Sequence, residues 1–262
     1  MAKKQRKGLF LAIANNKGGC GKTCTAQNLA AALRLSGFDV LAVDLDGQAN
    51  LTLCFAQTPG AQLYNAMKGT GGTLEPVAVL PSEGNAGALD LLPACQDLAA
   101  LGVEIAGRTD RAARLGAVLE PFRAKYDFVI IDTPPAADLL AINAIGAADA
   151  VIVPTDPQPL SVQGLVKTRE HLATLEQLTG KARPFSVLFT RFDRRKSLHR
   201  LTAEAVEGAG VEVLPVVVRE CVAFGESNAA ALDVFRYAPR SNGAQDYTAA
   251  AAAVLAWVSN KF

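Results

Sequence analysis

Paired cysteines and an excess of charge of either sign are both missing from this sequence of 262 residues. Its five cysteines form no C-x-x-C pair, which argues against a zinc or iron–sulfur site within one chain and favours reduced, cytosolic thiols. The 26 lysines and arginines nearly balance 25 acidic residues, so the net charge is only +1. No global field draws the chain to nucleic acid, and any such binding needs a local basic patch.

An apolar run of membrane-spanning length is also missing. The first seven residues are basic, but the apolar run after them is too short for a signal peptide. Half of the residues are apolar, which is enough to bury a full core. We therefore expect a soluble, cytoplasmic protein with no membrane partner, and a single domain over residues 1–262.

A glycine-rich segment, residues 15–23, follows the apolar run 9–14 and precedes a helical pattern at 24–36. A strand that turns through glycines into a helix presents free backbone N–H groups to an anion, and glycines let the backbone approach phosphates closely. In such loops the lysine before the hydroxyl residue reaches the β- and γ-phosphates, and the hydroxyl binds Mg²⁺. The residues expected to contact the nucleotide are Gly18, Gly19, Cys20, Gly21, Lys22, Thr23 and Cys24.

The usual phosphate-loop pattern, G-x-x-x-x-G-K-[ST], requires glycine at position 16, where this chain has Asn16. The loop instead begins with a second lysine, Lys17, and it resembles the deviant Walker A motif of the ParA/MinD family. In that family the early lysine reaches the nucleotide held by the other subunit. The resemblance therefore implies ATP and Mg²⁺ as ligands and an ATP-dependent homodimer. The alternative is a glycine-rich turn that carries two lysines without binding nucleotide.

Asp44 and Asp46 follow a nearly continuous apolar run, which indicates a strand buried on both faces. The carboxyl end of such a strand is where open α/β sheets bind ligands. The family's motif here reads roughly D-x-D-P-Q-G-N, from which Gly47 and Ala49 depart. The resemblance implies that Asp46 positions the attacking water, with Lys17 as the other catalytic residue, and that Asp44 supports the metal. The alternative is a pair of solvated loop acids.

A second strand signal is the run 128–131, which ends in Asp132 and continues as Thr133-Pro134-Pro135. An apolar strand that ends in aspartate is the Walker B arrangement, in which the acid holds Mg²⁺ directly or through water. The tetrapeptide also matches the family's sequence at this place. The expected metal site therefore comprises Thr23, Asp44 and Asp132.

A local excess of positive charge lies at residues 181–200, with seven lysines or arginines against one acid, Asp193. Such a run is often a solvated face. The family, however, binds DNA non-specifically through this region and through residues after the next strand. Where family members often show Pro-Arg-Asn, this chain has Pro215-Val216-Val217, so a polar contact near the nucleotide base is expected to be missing. Pro215 is retained as an expected nucleotide contact. The expected DNA-binding residues are Arg191, Arg194, Arg195, Lys196, Arg200 and Arg219.

The remaining pattern completes the fold prediction. Seven apolar strands alternate with helices, which predicts an α/β, doubly wound, mostly parallel sheet with helices on both faces, of the P-loop NTPase type. Residues 57–86 are expected to be loop-rich with a short helix near 63–68, and residues 108–125 to be an interrupted amphipathic helix. The two histidines, His171 and His199, have no obvious catalytic or metal partner and are expected at the surface.

The resemblance covers nearly the whole chain. Within the family, the chain is most similar to the small Soj-like members. It implies a weak intrinsic ATPase that forms ATP-bound dimers on the nucleoid, with a ParB-type partner that stimulates hydrolysis to segregate DNA or position another cargo. A MinD-like membrane-cycling regulator is disfavoured, because the closing alanine-rich helix lacks a basic amphipathic face. An ATP-dependent small-molecule ligase remains the other alternative.

Overall fold

One sheet organises the computed structural model, which describes residues 7–135, 138–159, 161–179 and 181–262. Eight strands belong to it in this part of the chain, in the order β3-β4-β2-β5-β1-β6-β7-β8. Every neighbouring pair is parallel except β3 with β4, so the mostly parallel α/β prediction is confirmed. The strands are β1 (Leu9–Ile13), β2 (Val40–Asp44), β3 (Val77–Leu80), β4 (Leu89–Leu92), β5 (Phe128–Asp132), β6 (Ala150–Thr155), β7 (Phe185–Phe192) and β8 (Val213–Arg219).

Helices connect these strands and cover the sheet. The first begins directly after the glycine-rich segment, and Gly37, with a φ of 91°, follows its end as expected for a C-terminal glycine. The helices are α1 (Lys22–Leu35), α2 (Asn50–Cys54), α3 (Gln62–Lys68), α4 (Leu98–Glu104), α5 (Arg114–Leu119), α6 (Leu139–Ala147), α7 (Ser161–Thr179), α8 (Ser197–Gly208), α9 (Val222–Ala229), α10 (Val234–Tyr237) and α11 (Asn242–Ser259), with a 3-10 helix at Glu120–Ala124.

The core has a layer on each face of the sheet, as the nearly continuous apolar strands predict. In β1, Leu11 and Ile13 pack with residues of α1 and α11 on one face. Phe10 and Ala12 face the other side, where the layer is built from α3 to α8. The central strands are thus enclosed, and their carboxyl ends remain as the edge at which polar side chains collect.

Two sequence expectations are corrected by the structure. Strand β3 lies inside the region expected to be loop, because this short edge strand is half exposed and lacks an apolar alternation. Residues 108–125 contain only the short helix α5 and the 3-10 helix, not one longer helix. Within the described residues, no helix is both long and apolar enough to cross a bilayer.

The pairing of β7 with β8 is irregular and matters for the site. The paired residues are Val187 with Val213, Phe189 with Val217, and Phe192 with Arg219, with a register shift in each interval. Extra residues therefore bulge from β8 in the first interval and from β7 in the second. Bulges of this kind redirect side chains and are common next to functional sites.

Candidate functional site

The glycine-rich loop after β1 has the conformation that an anion site needs. Gly19 and Gly21 have φ values of 72° and 87°, in the left-handed region that favours glycine. Gly21 is the N-cap of α1, and no side chain caps the helix there, so its first N–H groups are left for a ligand. A Cβ on Gly18 or Gly19 would meet nothing within 4 Å, which leaves the loop open to close approach.

Side chains hold this loop in place. Lys22 is 7% exposed, and its Nζ donates to the carbonyl oxygen of Lys17 at 3.2 Å across the loop. The Cys20 thiol is buried and lies 3.2 Å from the same oxygen. The Thr190 hydroxyl at the end of β7 donates to the Cys20 carbonyl at 2.8 Å. The loop is therefore preformed, and Thr190 is a support that the sequence analysis missed, although it directly follows the apolar run 185–189.

Lys17, the early lysine of the loop, is exposed and only loosely held. Its side chain is 51% exposed, and its Nζ lies 3.4 Å from Oδ2 of Asp156, which follows β6. An exposed ion pair of this kind stabilises by about 1 kcal/mol at most. Lys17 can therefore leave Asp156 at little cost and reach a group outside its own chain.

Asp44 and Asp132 end adjacent parallel strands and are directly paired in register. Both are fully buried. Burial raises the pKa of Asp44 to about 6, although hydrogen bonds from Thr52 oppose the shift. Burial and then the charge of Asp44 raise the pKa of Asp132 well above its usual value, while the nearby Thr23 hydroxyl opposes this in part. Two buried carboxyl groups thus lie side by side, in a low-dielectric environment next to the glycine-rich loop.

The two carboxylates differ in their partners. Oδ2 of Asp44 accepts from the Thr52 backbone N–H at 2.8 Å and from the Thr52 hydroxyl at 2.7 Å, while Oδ1 accepts from the Asp46 N–H at 3.2 Å. Within the described part of the chain, neither oxygen of Asp132 has a hydrogen-bond partner. Asp44 is therefore committed largely to shaping its own loop, whereas Asp132 is available to a cation.

Asp46 stands at the start of that loop, partly exposed, and its Oδ1 accepts from the Gln48 N–H at 3.0 Å. Of the two departures from the family motif, Gly47 fits the local backbone and Ala49 is strained. A Cβ on Gly47 would lie 2.9 Å from the Ala99 backbone nitrogen, so only glycine fits there without movement. Ala49 has a φ of 55°, a conformation that costs a non-glycine residue about 1–2 kcal/mol.

This donor set fits a nucleotide with Mg²⁺. Mg²⁺ keeps several waters and is usually held by one or two carboxylates together with substrate phosphates, and an unsatisfied buried aspartate beside a hydroxyl matches that demand. Among the described residues, no cluster of three or more histidine, cysteine, aspartate or glutamate side chains could hold a metal ion without such help. The residues present would therefore bind Mg²⁺ together with a phosphate group.

A cavity of about 260 Å³ continues from the loop toward α9 and α11. Its size is near the lower limit for ligand pockets, which suits a base and sugar beyond the phosphates. Pro215 does not line it, because the bulge in β8 places Pro215 on an exposed part of the strand and brings the residues after it to the cavity instead. The lining residues are Gly19, Gly21, Cys24, Thr190, Arg191, Val218, Arg219, Glu220, Cys221, Phe224, Gly225, Asn228 and Tyr247.

The six expected DNA-binding residues do not form one surface. Arg194, Lys196 and Arg200 are exposed in and before α8. Arg195 is 91% exposed but paired with Asp193 at 3.0 Å, and this arginine lowers the pKa of Asp193 to about 2.

Arg191 and Arg219 instead line the cavity beside the loop. Arg219 is also bound to Asp246 of α11, with its Nε and one terminal nitrogen 2.7 to 3.1 Å from the carboxylate oxygens. A guanidinium held in this bidentate way is not free for a phosphate. Among the described residues, Arg194, Lys196 and Arg200 are exposed and have no carboxylate partner, whereas Arg219 is bound to Asp246.

The expectation that His199 lies at the surface is wrong. His199 is 4% exposed, and its Nδ1 accepts from the Asp193 N–H at 3.0 Å. This hydrogen bond therefore fixes the backbone just before Arg194, at the start of the basic segment 194–200. The side chain of His171 lies outside the described residues.

Comparisons with known proteins show what the chain resembles. A family described as an AAA domain matches residues 9–182. The chain is similar to the chromosome partitioning protein ParA of Caulobacter vibrioides, with 34% identity over 94% of this chain and 93% of the relative. It is similar to the chromosome-partitioning ATPase Soj of Thermus thermophilus, with 35% identity over 95% and 96%. A solved cobyrinic acid a,c-diamide synthase from Mycobacterium smegmatis, with bound ADP and magnesium, has a TM-score of 0.79 at 29% identity, covering 97% of this chain and 96% of that one.

Proposed function

Because this chain belongs to the family of ParA and Soj partitioning ATPases, we propose that it is an Mg²⁺-dependent ATPase with weak intrinsic activity that forms homodimers when ATP is bound. A ParB-type partner would stimulate hydrolysis, and the cycle would segregate DNA or position another cargo. The observation that carries the proposal is the preformed loop with Asp132 beside it, buried and unpartnered within the described residues.

Each loop residue has a separate task in this proposal. The free N–H groups at the start of α1 and the Nζ of Lys22 bind the phosphates, and Thr23 and Asp132 hold the metal, with Asp44 supporting them. Mg²⁺ neutralises phosphate charge when it is bound. Asp46, which is partly exposed, orients the attacking water.

The loosely held Lys17 is the group that joins two subunits. Its ion pair with Asp156 is weak and exposed, so exchanging that partner for a phosphate of the other subunit's nucleotide is favourable. Dimer formation then depends on the nucleotide, because without it Lys17 has no stronger partner than Asp156.

DNA binding is assigned to the exposed cations of the basic segment, Arg194, Lys196 and Arg200, with Arg195 as a weaker contributor because Asp193 competes for it. Contacts to phosphate carry no sequence information, so binding is non-specific and places the protein on the nucleoid in the cytoplasm. Affinity grows with the number of phosphates neutralised, so a dimer with two such segments binds far more tightly than a monomer.

A small-molecule ligase is the second candidate, favoured by the structural likeness to cobyrinic acid a,c-diamide synthase. A second cavity of about 720 Å³ also adjoins the loop on the side of Lys17, between Asn15 and Thr168. Its volume is in the range of small-molecule sites. A MinD-like positioning role would share the ATP-dependent dimer but not the DNA surface.

Salt-dependent DNA binding separates these functions. We expect the triple variant Arg194→Ala/Lys196→Ala/Arg200→Ala to bind ATP and dimerise normally, yet to lose DNA affinity. Each lost contact should flatten the slope of log affinity against log salt by about 0.9. Filter binding with ATP or ADP over a salt series measures this, with Arg240→Ala, an exposed arginine elsewhere, as the matched control. Equal DNA binding with ATP and ADP, or an unchanged slope in the triple variant, would contradict the proposal.

A further inference from the structure

We propose that Arg191 binds the base end of the nucleotide rather than DNA, an inference that rests on the proposed ATP site. The sequence analysis placed this residue on the DNA surface because it belongs to the basic run and because the family that the chain resembles binds DNA through this region. Its backbone conformation, its place in the cavity and its lack of a partner all separate it from the rest of that run.

The backbone at Arg191 is strained. Its φ is 52°, in the left-handed region, which costs a non-glycine residue about 1–2 kcal/mol. The residue also lies in the β7 bulge, between the pairs formed by Phe189 and Phe192. Strained residues persist where the surrounding structure fixes them, and they cluster at ligand sites. The bulge turns Arg191 out of the regular strand direction and toward the cavity beside the loop.

The cavity contains two arginines, and only one of them is available. Arg219 is held by Asp246 through its Nε and a terminal nitrogen. Among the residues that the structure describes, Arg191 has no hydrogen-bond or ion-pair partner. An available guanidinium in the cavity that continues the phosphate loop is placed to meet the ligand of that cavity.

The residues that line the cavity indicate which part of the nucleotide Arg191 contacts. The cavity lining includes Gly19 and Gly21 of the loop and the aromatic pair Phe224 and Tyr247, whose ring centroids are 5.5 Å apart. It includes none of the residues assigned to the β- and γ-phosphates and the metal, namely Lys22, Thr23 and Asp132. Arg191 shares this lining, so it lies on the side of the loop away from the groups assigned to the β- and γ-phosphates and the metal. A guanidinium stacks well on aromatic faces, and a purine offers one.

The experiment compares nucleotide affinity in wild type and Arg191→Asn. Asparagine tolerates the left-handed conformation but lacks the guanidinium, so the variant should fold. Equilibrium competition against a fluorescent ATP analogue gives affinities for ATP, ADP and inorganic tripolyphosphate. We expect ATP and ADP to bind about three- to thirtyfold more weakly, while tripolyphosphate changes less than twofold. Arg240→Ala, at an exposed arginine outside both proposed binding surfaces, is the matched control and should bind all three as wild type does.

Thermal unfolding of the nucleotide-free variant provides the check on folding, and its midpoint should match or exceed that of wild type because the strain is reduced. DNA binding at saturating ATP should be unchanged. Unchanged ATP affinity, or an equal loss for tripolyphosphate, would overturn the base-end assignment. Loss of DNA binding with intact nucleotide affinity would return Arg191 to the DNA surface. A wild-type chain that binds no ATP would overturn the proposed function itself, which is a separate result.

Discussion

Replacing Thr52 by valine would remove one hydroxyl from the support of Asp44. That hydroxyl donates to Oδ2 of Asp44 at 2.7 Å and accepts from the Ala94 backbone N–H at 3.0 Å, and Thr52 is fully buried. Valine has nearly the same shape, so the change is mainly the loss of these two bonds. The Thr52 backbone N–H, which also donates to Asp44, is retained.

The expected cost follows from the two bonds. A hydrogen bond to a charged group contributes about 1.5–3 kcal/mol, and a buried N–H left without a partner costs about 1–3 kcal/mol. Together they predict that Thr52→Val lowers the free energy of unfolding by about 3–5 kcal/mol at pH 8. Thr52→Ser keeps the hydroxyl and loses one methyl group, so it should cost only about 1 kcal/mol.

The loss should also depend on pH. Burial raises the pKa of Asp44 from its usual 3.8 to about 6, so this group's contribution to stability is fully present below about pH 4 and is lost as the pH rises toward 6. Without the Thr52 hydroxyl the pKa rises further. The valine variant therefore goes on losing stability above pH 6, where wild type has levelled off, and the gap between the two proteins widens from pH 6 to pH 8.

Urea denaturation of the nucleotide-free protein at pH 5.5 and pH 8 measures both effects, with the fluorescence of the buried Trp257 as the signal. Thr52→Ser is the control for packing. A valine variant no less stable than the serine variant would refute the role of the hydroxyl. An equal loss at both pH values would show that Asp44 is not the group it supports.

Three further predictions concern the same site. Asp132→Asn should raise the urea midpoint of the nucleotide-free protein at pH 8, because a buried, unpartnered acid is removed, while Mg²⁺ no longer strengthens nucleotide binding in titrations. Gly47→Ala should lower the free energy of unfolding by about 1–3 kcal/mol, because its methyl group would lie 2.9 Å from the backbone of α4. Gly18→Ala, where the methyl group enters open space, should leave the unfolding midpoint unchanged and weaken ATP binding. Arg219→Gln should destabilise the protein by about 1 kcal/mol, because Asp246 loses a partly exposed guanidinium partner but keeps the Arg219 backbone N–H. The salt slope of DNA binding should not change, and a flatter slope would show that Arg219 contacts DNA after all.

The phosphate loop and Asp132 could be predicted from the sequence because their signals are local. A strand, a run of glycines and a helix start are contiguous, and an apolar strand that ends in an acid needs no distant partner to be recognised. The parallel sheet followed from the same buried runs. Strand β3 left no such signal, since it is short, at the edge and half exposed.

The rest depended on contacts between segments far apart in the chain. Nothing near Arg219 indicates that Asp246 neutralises it, and nothing near Thr52 shows that its hydroxyl lies between Asp44 and Ala94. Nothing in the sequence shows that Pro215 lies outside the lining of the cavity, because a bulge in β8 cannot be read from its composition.

The bulge in β7 lies in the short stretch of chain that connects the proposed nucleotide site with the proposed DNA-binding residues. Thr190 is fastened to the phosphate loop, and Arg194, where the basic surface starts, is four residues away, so at most roughly 14 Å of chain separates them. The middle of this stretch is fixed in place, because Phe192 is buried and the Asp193 backbone N–H donates to His199. A displacement of the loop would therefore pull on the basic surface through a short, stiff connection. The sheet could stay rigid while these few residues link the position of the loop to that of Arg194.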